Sequence, residues 1–187
     1  TNPRGSLMFA AGNAETIGQT ANYTSDLLGE GTSFIIYTVT NGRYYAIDGN
    51  GNAVEVQIST SGVITSSLAD PSILYWEFKK DVDYDNRPTF FIQNVATGIY
   101  LHPNRDGRQD GAVHTGQWRT AIYTSGNGVK FRCVNQDAYA LLSGDKFTYA
   151  TTQNTGSTFY VGKGPTQVAL WRDGTNGNIM SYRGSDN

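Results

Sequence analysis

The chain alternates short runs of apolar and polar residues with turn-forming clusters, and almost none of it shows the apolar period of a helix. Short runs rich in β-branched and aromatic residues are typical of strands, and Gly, Asn and Asp between them favour tight turns. The predicted strands are Phe34–Thr38, Tyr44–Asp48, Ala53–Ile58, Leu74–Lys79, Phe90–Asn94, Ile99–His102, Ala112–Thr115, Thr120–Thr124, Val129–Val134, Tyr139–Leu142, Phe147–Thr152, Thr158–Gly162, Val168–Arg172 and Ile179–Tyr182. One more strand is expected near Leu7–Ala10, and Asn22–Gly29 is the candidate for a short helical turn.

Three windows of the sequence align without gaps and describe the same hairpin. They are Phe34–Tyr44, Phe90–Tyr100 and Val129–Tyr139, and they start 56 and then 39 residues apart. Each window has apolar residues at its first and third positions, then a turn, and then a Tyr two residues after that turn. Two more predicted strands follow each hairpin, so the sequence contains three units of four strands.

Short strands at this spacing are typical of a barrel or a sandwich. Strands with one buried face need closure or a second sheet to remove their edges, and a threefold, twelve-strand barrel capped by hairpins is one closed solution. A propeller also has four-stranded units but needs at least four of them. We therefore expect an all-β core over residues 34–162, an N-terminal extension (1–33) packed on it, and a C-terminal hairpin extension (163–187) that pairs with the N-terminal strand.

A longer motif links this pattern to a known family. The run is Trp76-Glu-Phe78, followed by Phe90-Phe-Ile-Gln-Asn94-Val-Ala-Thr97-Gly98-Ile-Tyr100-Leu101, and Ser157–Val161 fits the same pattern later in the chain. It resembles the β-trefoil modules of large surface proteins of Gram-positive bacteria, over about residues 34–162. The resemblance implies a β-trefoil-like barrel of three four-stranded repeats in a cell-surface protein.

The broader relatives of these modules are the ricin-type lectins, and this resemblance implies sugar binding. Their Gln-x-Trp signature is incomplete, because Leu74 stands where Gln would precede Trp76. In that family an Asp near the end of the second strand of a repeat contacts the sugar. Asp48 matches that place in the first unit, His102 or Pro103 falls there in the second, and Ser143 in the third.

Net charge, hydrophobic run length and cysteine content limit the kinds of molecule and the cellular location that the sequence favours. The net charge is -2 and no basic stripe is present, so nucleic acids and anionic membranes are poor partners. No run approaches the roughly 20 apolar residues of a membrane helix. The single cysteine, Cys133, cannot form an internal disulfide. We interpret the chain as a monomeric, extracellular domain, secreted or attached to the cell wall, cut from a larger bacterial protein.

Catalysis and metal binding find little support in the residues. No Gly-x-Ser-x-Gly, His-Glu-x-x-His or P-loop pattern occurs. A catalytic dyad of Cys133 with a histidine is conceivable, but Cys133 also fits an ordinary structural position in a strand. The acidic turns Asp81–Asp85 and Asp48–Asn52 lack the Gly and Glu of a calcium loop, although calcium at the first stays open. We expect no enzyme activity, no metal and no cofactor.

Aromatic residues beside polar turns favour carbohydrate binding, because sugars stack on rings and their hydroxyls bond to polar side chains. A protein-binding adhesin and a structural spacer in a surface stalk remain the alternatives, and a hydrolase would need a deep cleft with His102 or His114 close to a carboxylate. The predicted ligand-binding residues are Tyr45, Asp48, Asn50, His102, Asn104, Trp118 and Trp171.

Overall fold

The computed structural model describes residues 9–13, 32–164, 168–172 and 179–183 of the chain. In these ranges it contains sixteen β-strands and one short 3-10 helix, Pro71–Leu74, which confirms the all-β prediction. The strands are β1 Phe9–Asn13, β2 Ser33–Thr40, β3 Arg43–Ile47, β4 Ala53–Ile58, β5 Val63–Ser66, β6 Tyr75–Lys80, β7 Thr89–Asn94, β8 Tyr100–Asn104, β9 Gly111–His114, β10 Thr120–Ser125, β11 Gly128–Cys133, β12 Tyr139–Ser143, β13 Lys146–Ala150, β14 Phe159–Lys163, β15 Val168–Arg172 and β16 Ile179–Arg183. Every strand predicted from Phe34 onward overlaps one of them.

Six of the strands form a closed antiparallel barrel. Strand β2 pairs with β6, β6 with β7, β7 with β10, β10 with β11, and β11 with β14. The ring closes because β14 pairs with β2 from Phe159↔Thr38 to Lys163↔Phe34. Closure gives each barrel strand a neighbour on both sides, which removes exposed strand edges from the barrel.

Two outer strands follow a barrel strand at three places in the chain. They are β3 and β4 after β2, β8 and β9 after β7, and β12 and β13 after β11. Each outer pair is antiparallel, and its first strand also pairs with the preceding barrel strand. The three aligned windows of the sequence therefore coincide with the hairpins β2–β3, β7–β8 and β11–β12.

The alternating pattern of the windows decides which side chains fill the barrel. The apolar first and third positions of all three windows lie in one cluster and are fully buried: Phe34, Ile36, Phe90, Ile92, Val129 and Phe131. Trp76 joins this cluster, and its indole N–H donates to the Ile47 carbonyl oxygen at 3.1 Å. A shift of one residue in register would turn these side chains out of the barrel, so the pattern also defines the strand register.

A second apolar cluster covers the outer side of the first unit. Ile35 and Tyr37 are buried together with Ala11 of β1 and Ile64 of β5. The Tyr75 hydroxyl donates to the Ala11 carbonyl oxygen at 2.8 Å and ties β1 to the barrel. The burial of both faces of β2 explains why its apolar run is continuous rather than alternating.

Three features of the fold differ from the sequence prediction. The N-terminal strand is β1, Phe9–Asn13, rather than Leu7–Ala10, and the short strand β5 was not predicted. The pairing suggested between the C-terminal hairpin and the N-terminal strand does not occur among the described residues, where β1 pairs with β5 and β14 and β15 pairs with β16. The helical turn expected at Asn22–Gly29 lies outside the described residues.

Candidate functional site

The second unit brings two histidines and a tryptophan together. His102 lies in β8, and His114 ends β9, the strand that pairs with β8. Trp118 lies in the segment between β9 and β10. The antiparallel hairpin places the histidines at one place in the fold although twelve positions separate them in the sequence, and their ring centroids are 6.2 Å apart.

Asp106 connects the β8–β9 loop to His114. Its Oδ1 accepts the backbone N–H groups of Gln109 and Arg108 at 2.7 and 2.8 Å, which closes the turn with its own side chain. Its Oδ2 accepts the Nε2–H of His114 at 2.7 Å. The Gln109 and Arg108 hydrogen bonds, with a smaller contribution from His114, lower the pKa of Asp106 to about 2. The carboxylate is therefore charged at neutral pH.

His114 is held on both sides of its ring. The Gly116 backbone N–H donates to Nδ1 at 2.8 Å, while Nε2–H donates to Asp106. A ring that accepts at Nδ1 and donates at Nε2 is the neutral Nε2–H tautomer. These two hydrogen bonds define the orientation of the imidazole, which makes it a fixed, flat support for a neighbouring ring.

Trp118 uses that support and remains accessible to solvent. Its indole stacks on His114 with a centroid distance of 5.0 Å and an interplanar angle of 18°. It meets His102 edge-on at 5.1 Å and 78°. Even so, Trp118 is 44% exposed, and its indole N–H has no partner among the described residues. The site therefore presents to solvent an indole ring whose N–H group is free within the described residues, and the His114 ring on which it stacks holds it in place.

His102 is neutral and almost fully buried. Its Nδ1 faces the Thr120 hydroxyl at 3.5 Å, and that hydroxyl gives its own proton to the Leu101 carbonyl oxygen at 2.8 Å. The hydroxyl oxygen can accept a proton from Nδ1, and Nε2 lies 3.6 Å from the Cys133 sulfur. Burial, followed by the nearby His114, lowers the pKa of His102 to about 4.

Cys133 is the last residue of strand β11 and contacts His102 as a thiol. The backbone N–H groups of Asn135 and Gln136 point to its sulfur, yet burial dominates and raises its pKa. With the pKa of the thiol raised and that of His102 lowered, the pair stays neutral, whereas a nucleophilic cysteine needs a thiolate. The contact therefore suits a structural hydrogen bond from Sγ–H to Nε2 better than it suits a catalytic dyad.

A cavity of about 280 Å³ opens beside this cluster. Trp118 and Arg119 line it together with Gln117 and Asn135, while His102 and Cys133 form part of its inner wall. Its volume is at the lower end of the range for small-ligand sites. The rim thus combines one aromatic ring with amide and guanidinium donors.

The charges near the cavity are paired rather than concentrated. Arg119 Nε lies 3.4 Å from Asp81 Oδ2, Arg87 pairs with Asp85 at 3.0 Å, and Lys80 pairs with Asp83. The acidic run of the Asp81–Asp85 turn therefore already has cationic partners, which compete with calcium for its carboxylates. In the described part of the chain, no three His, Cys, Asp or Glu side chains come together as metal ligands.

The predicted residues of the first unit, Tyr45, Asp48 and Asn50, lie apart from the cluster of His102, His114 and Trp118. The Asp48 carboxylate is 7% exposed, and its Oδ1 accepts the backbone N–H groups of Asn50 and Asn52 at 2.8 Å each. It closes the turn after β3 and has little capacity left for a ligand. Asn50 is exposed on that turn, and Tyr45 lines a separate open cleft of about 690 Å³.

Two further predicted residues have distinct positions. Asn104 is fully buried, its Nδ2 donates to the His102 carbonyl oxygen at 2.8 Å, and its Oδ1 has no partner among the described residues. Asn104 thus supports the site from within the hairpin. Trp171 lies in β15, for which the structure describes the strand pairing and not the side chain.

Sequence reasoning selected His102, Asn104 and Trp118 but did not include the two residues that position them. His114 and Asp106 were both visible as polar residues of the loop after β8. The useful signal was the hairpin itself, because His114 follows a loop of Gly and Asp residues at the place where β9 returns past β8. The contact of Cys133 with His102 had no such local signal, since the two residues belong to different units.

Comparison with known proteins identifies no family for this chain. No protein-family model matches the chain, and a search of curated proteins found no relative. Among the described residues there is no helix with the length and apolar character needed to cross a membrane.

Proposed function

We propose that this chain is a non-catalytic, extracellular glycan-binding module with a β-trefoil-like barrel. The supporting observation is the geometry of Trp118, which is 44% exposed, stacked flat on His114 and placed beside a small cavity with amide donors. A pyranose ring has an apolar face that packs on an indole, and hydroxyls that bond to amides and an indole N–H. A fixed ring also binds with a smaller loss of side-chain entropy than a mobile one.

The trefoil part of the proposal rests on equivalent contacts in the repeated units. Asn94 and Cys133 occupy the same position in the aligned windows. Asn94 Oδ1 accepts the backbone N–H groups of the residues two and three positions later, at 3.0 and 3.1 Å. The Cys133 sulfur faces the corresponding N–H groups. Turn chemistry shared by the second and third units, together with three hairpins on a six-strand barrel, favours a threefold repeat. The first unit differs at this position, because the Thr38 hydroxyl donates to the Thr158 carbonyl oxygen.

The same site gives less support to a hydrolase. Aromatic stacking and hydrogen bonding require no charged catalytic group, but hydrolysis requires an activated one. Among the described residues, the histidine beside the Cys133 sulfur is His102, which is neutral and buried. In the part of the chain that the structure describes, the carboxylate bonded to a histidine is that of Asp106, which is tied into its own loop. Location outside the cell and attachment to a larger surface protein are part of the proposal and rest on the sequence resemblance.

Glycan-array binding of the purified chain tests the proposal, with Trp118→Ala as the test variant. Tyr84→Ala is the matched control, because Tyr84 is equally exposed (45%) and lies in the turn between β6 and β7. We expect wild type and Tyr84→Ala to bind the same glycans, and Trp118→Ala to lose at least about tenfold in affinity. An array without binding, or binding that Trp118→Ala does not weaken, would contradict the proposal and favour a protein-binding or spacer role.

A further inference from the structure

A second cavity, of about 420 Å³, adjoins the one beside Trp118. Strand β6 contributes Glu77 and Lys79 to it, β7 contributes Gln93, and β8 contributes Tyr100. Glu77, Lys79 and Gln93 are exposed and Tyr100 is half-buried. This cavity therefore also places a half-buried aromatic ring, Tyr100, beside polar side chains, and none of these four residues belongs to the cluster around Trp118.

The two cavities share a wall. Phe91 and Gln117 line both of them. Gln117 is exposed and has no hydrogen-bond partner among the described residues, and Phe91 is half-buried. Because the exposed Gln117 amide and the half-buried Phe91 ring form this wall, it does not close one cavity off from the other at the protein surface. A ligand long enough to cross the wall therefore contacts both cavities.

Strand register shows the direction of the combined groove. Glu77 pairs with Gln93, Gln93 with Tyr100, and Tyr100 with His114, which supports Trp118. Four side chains in direct register across adjacent strands lie on the same face of the sheet and span three strand spacings, about 14 Å. This row of side chains runs across the strands from Glu77 to His114, on which the Trp118 ring stacks, so its length exceeds that of one sugar ring.

We propose that the ligand is a linear oligosaccharide that crosses both cavities, with one unit on Trp118 and a later unit on Tyr100. This inference rests on the proposed glycan-binding function and specifies its ligand class. Gln93 is prepared for such a role, since its Nε2 donates to the Gly98 carbonyl oxygen at 3.0 Å and the amide is thereby held in place. Glu77 and Lys79 add one acceptor and one donor group at the far end, without a net charge that would select a charged polymer.

Length-dependent binding tests this inference. The probes are series of glucan, chitin, galactan and mannan oligomers of one to six units, measured by calorimetry with wild type, Trp118→Ala, Tyr100→Ala and Lys79→Ala. For the series that binds, we expect the trimer to bind at least about tenfold more tightly than the monomer. Tyr100→Ala should remove that gain while changing monomer affinity less than about twofold. Lys79→Ala, at an exposed position of the same cavity, should weaken trimer binding alone and serves if Tyr100→Ala fails to fold.

The outcomes separate the two proposals. Monomer and trimer of equal affinity, with both lost in Trp118→Ala, would overturn the extended groove and leave glycan binding intact. Equal losses for monomer and trimer in both cavity variants would also overturn it. Failure of every series to bind would overturn glycan binding for these probes, and the extended groove with it.

Discussion

His102 should make the stability of this domain strongly dependent on pH. The pKa of the imidazole falls from the ordinary value of 6.5 to about 4, mainly because the ring is buried. In the unfolded chain the same ring is exposed and takes up a proton near its ordinary pKa. A difference of about 2.5 pH units, at about 1.4 kcal/mol per unit, corresponds to about 3 kcal/mol of unfolding free energy.

The direction of this effect follows from the protons bound in each state. Between about pH 6.5 and 4 the unfolded state binds more protons at His102 than the folded state does, so acidification favours unfolding. The contribution of His102 is therefore fully present above pH 6.5 and is lost progressively as the pH falls to about 4. Below pH 4 both states are protonated and no further loss comes from this group.

Urea unfolding of wild type and His102→Gln at half-unit steps from pH 7.5 to 4 measures the effect. Glutamine retains a neutral amide near Cys133 and does not titrate. The difference in unfolding free energy between the two proteins should change by about 3 kcal/mol across this range, because carboxyl groups titrate in both and cancel. Cys133→Ala keeps the titrating ring and should retain most of the pH dependence. Parallel profiles for wild type and His102→Gln would refute the reasoning.

Two other predictions concern the barrel and the thiol. Trp76→Ala removes a fully buried indole and its hydrogen bond to the Ile47 carbonyl oxygen, and chemical denaturation should show a loss of about 3–5 kcal/mol; a loss below 1 kcal/mol would show that the barrel interior does not depend on this ring. Cys133, buried and with a raised pKa, should not react with Ellman's reagent at pH 8 in the folded protein and should react once per chain in denaturant, whereas rapid reaction in the folded state would contradict the buried assignment.

The strands were predictable because the information that defines them is local. Phe34 to Tyr37 form a short continuous run of β-branched and aromatic residues, and the turn after β2 contains Asn41 and Gly42, both with positive φ. Strand β5 is only four residues long and lies between Ser and Gly residues, so no window of adequate length reveals it. It pairs with β4 across a short turn, and its other edge pairs with β1, about fifty residues earlier in the chain. Such long-range pairing has no local signal.

The candidate site was predictable only in part for a related reason. Trp118 was among the predicted ligand-binding residues, and its exposure in the structure agrees with its polar surroundings, which lack any alternation that would bury it. Asp48 was selected through resemblance to lectin repeats, and a sequence position does not reveal that the carboxylate is used within its own turn. The sulfur of Cys133 comes near His102 because β8 and β11 approach each other, a tertiary contact between units.

The three hairpin units differ at the position that the lectin resemblance assigns to sugar contact, and under the proposed glycan-binding function this difference has a consequence for affinity. Asp48 is sealed in its turn, and Ser143 is exposed beside Gly144 in the tight connection between β12 and β13. His102, at the corresponding place in the second unit, lies beneath the Trp118 platform. A domain with three equal sites can gain affinity by multivalent binding, but a domain with one developed site cannot. Under the proposed function, affinity would therefore come from contact along the ligand, and the proposed groove from Trp118 to Tyr100 would supply that contact.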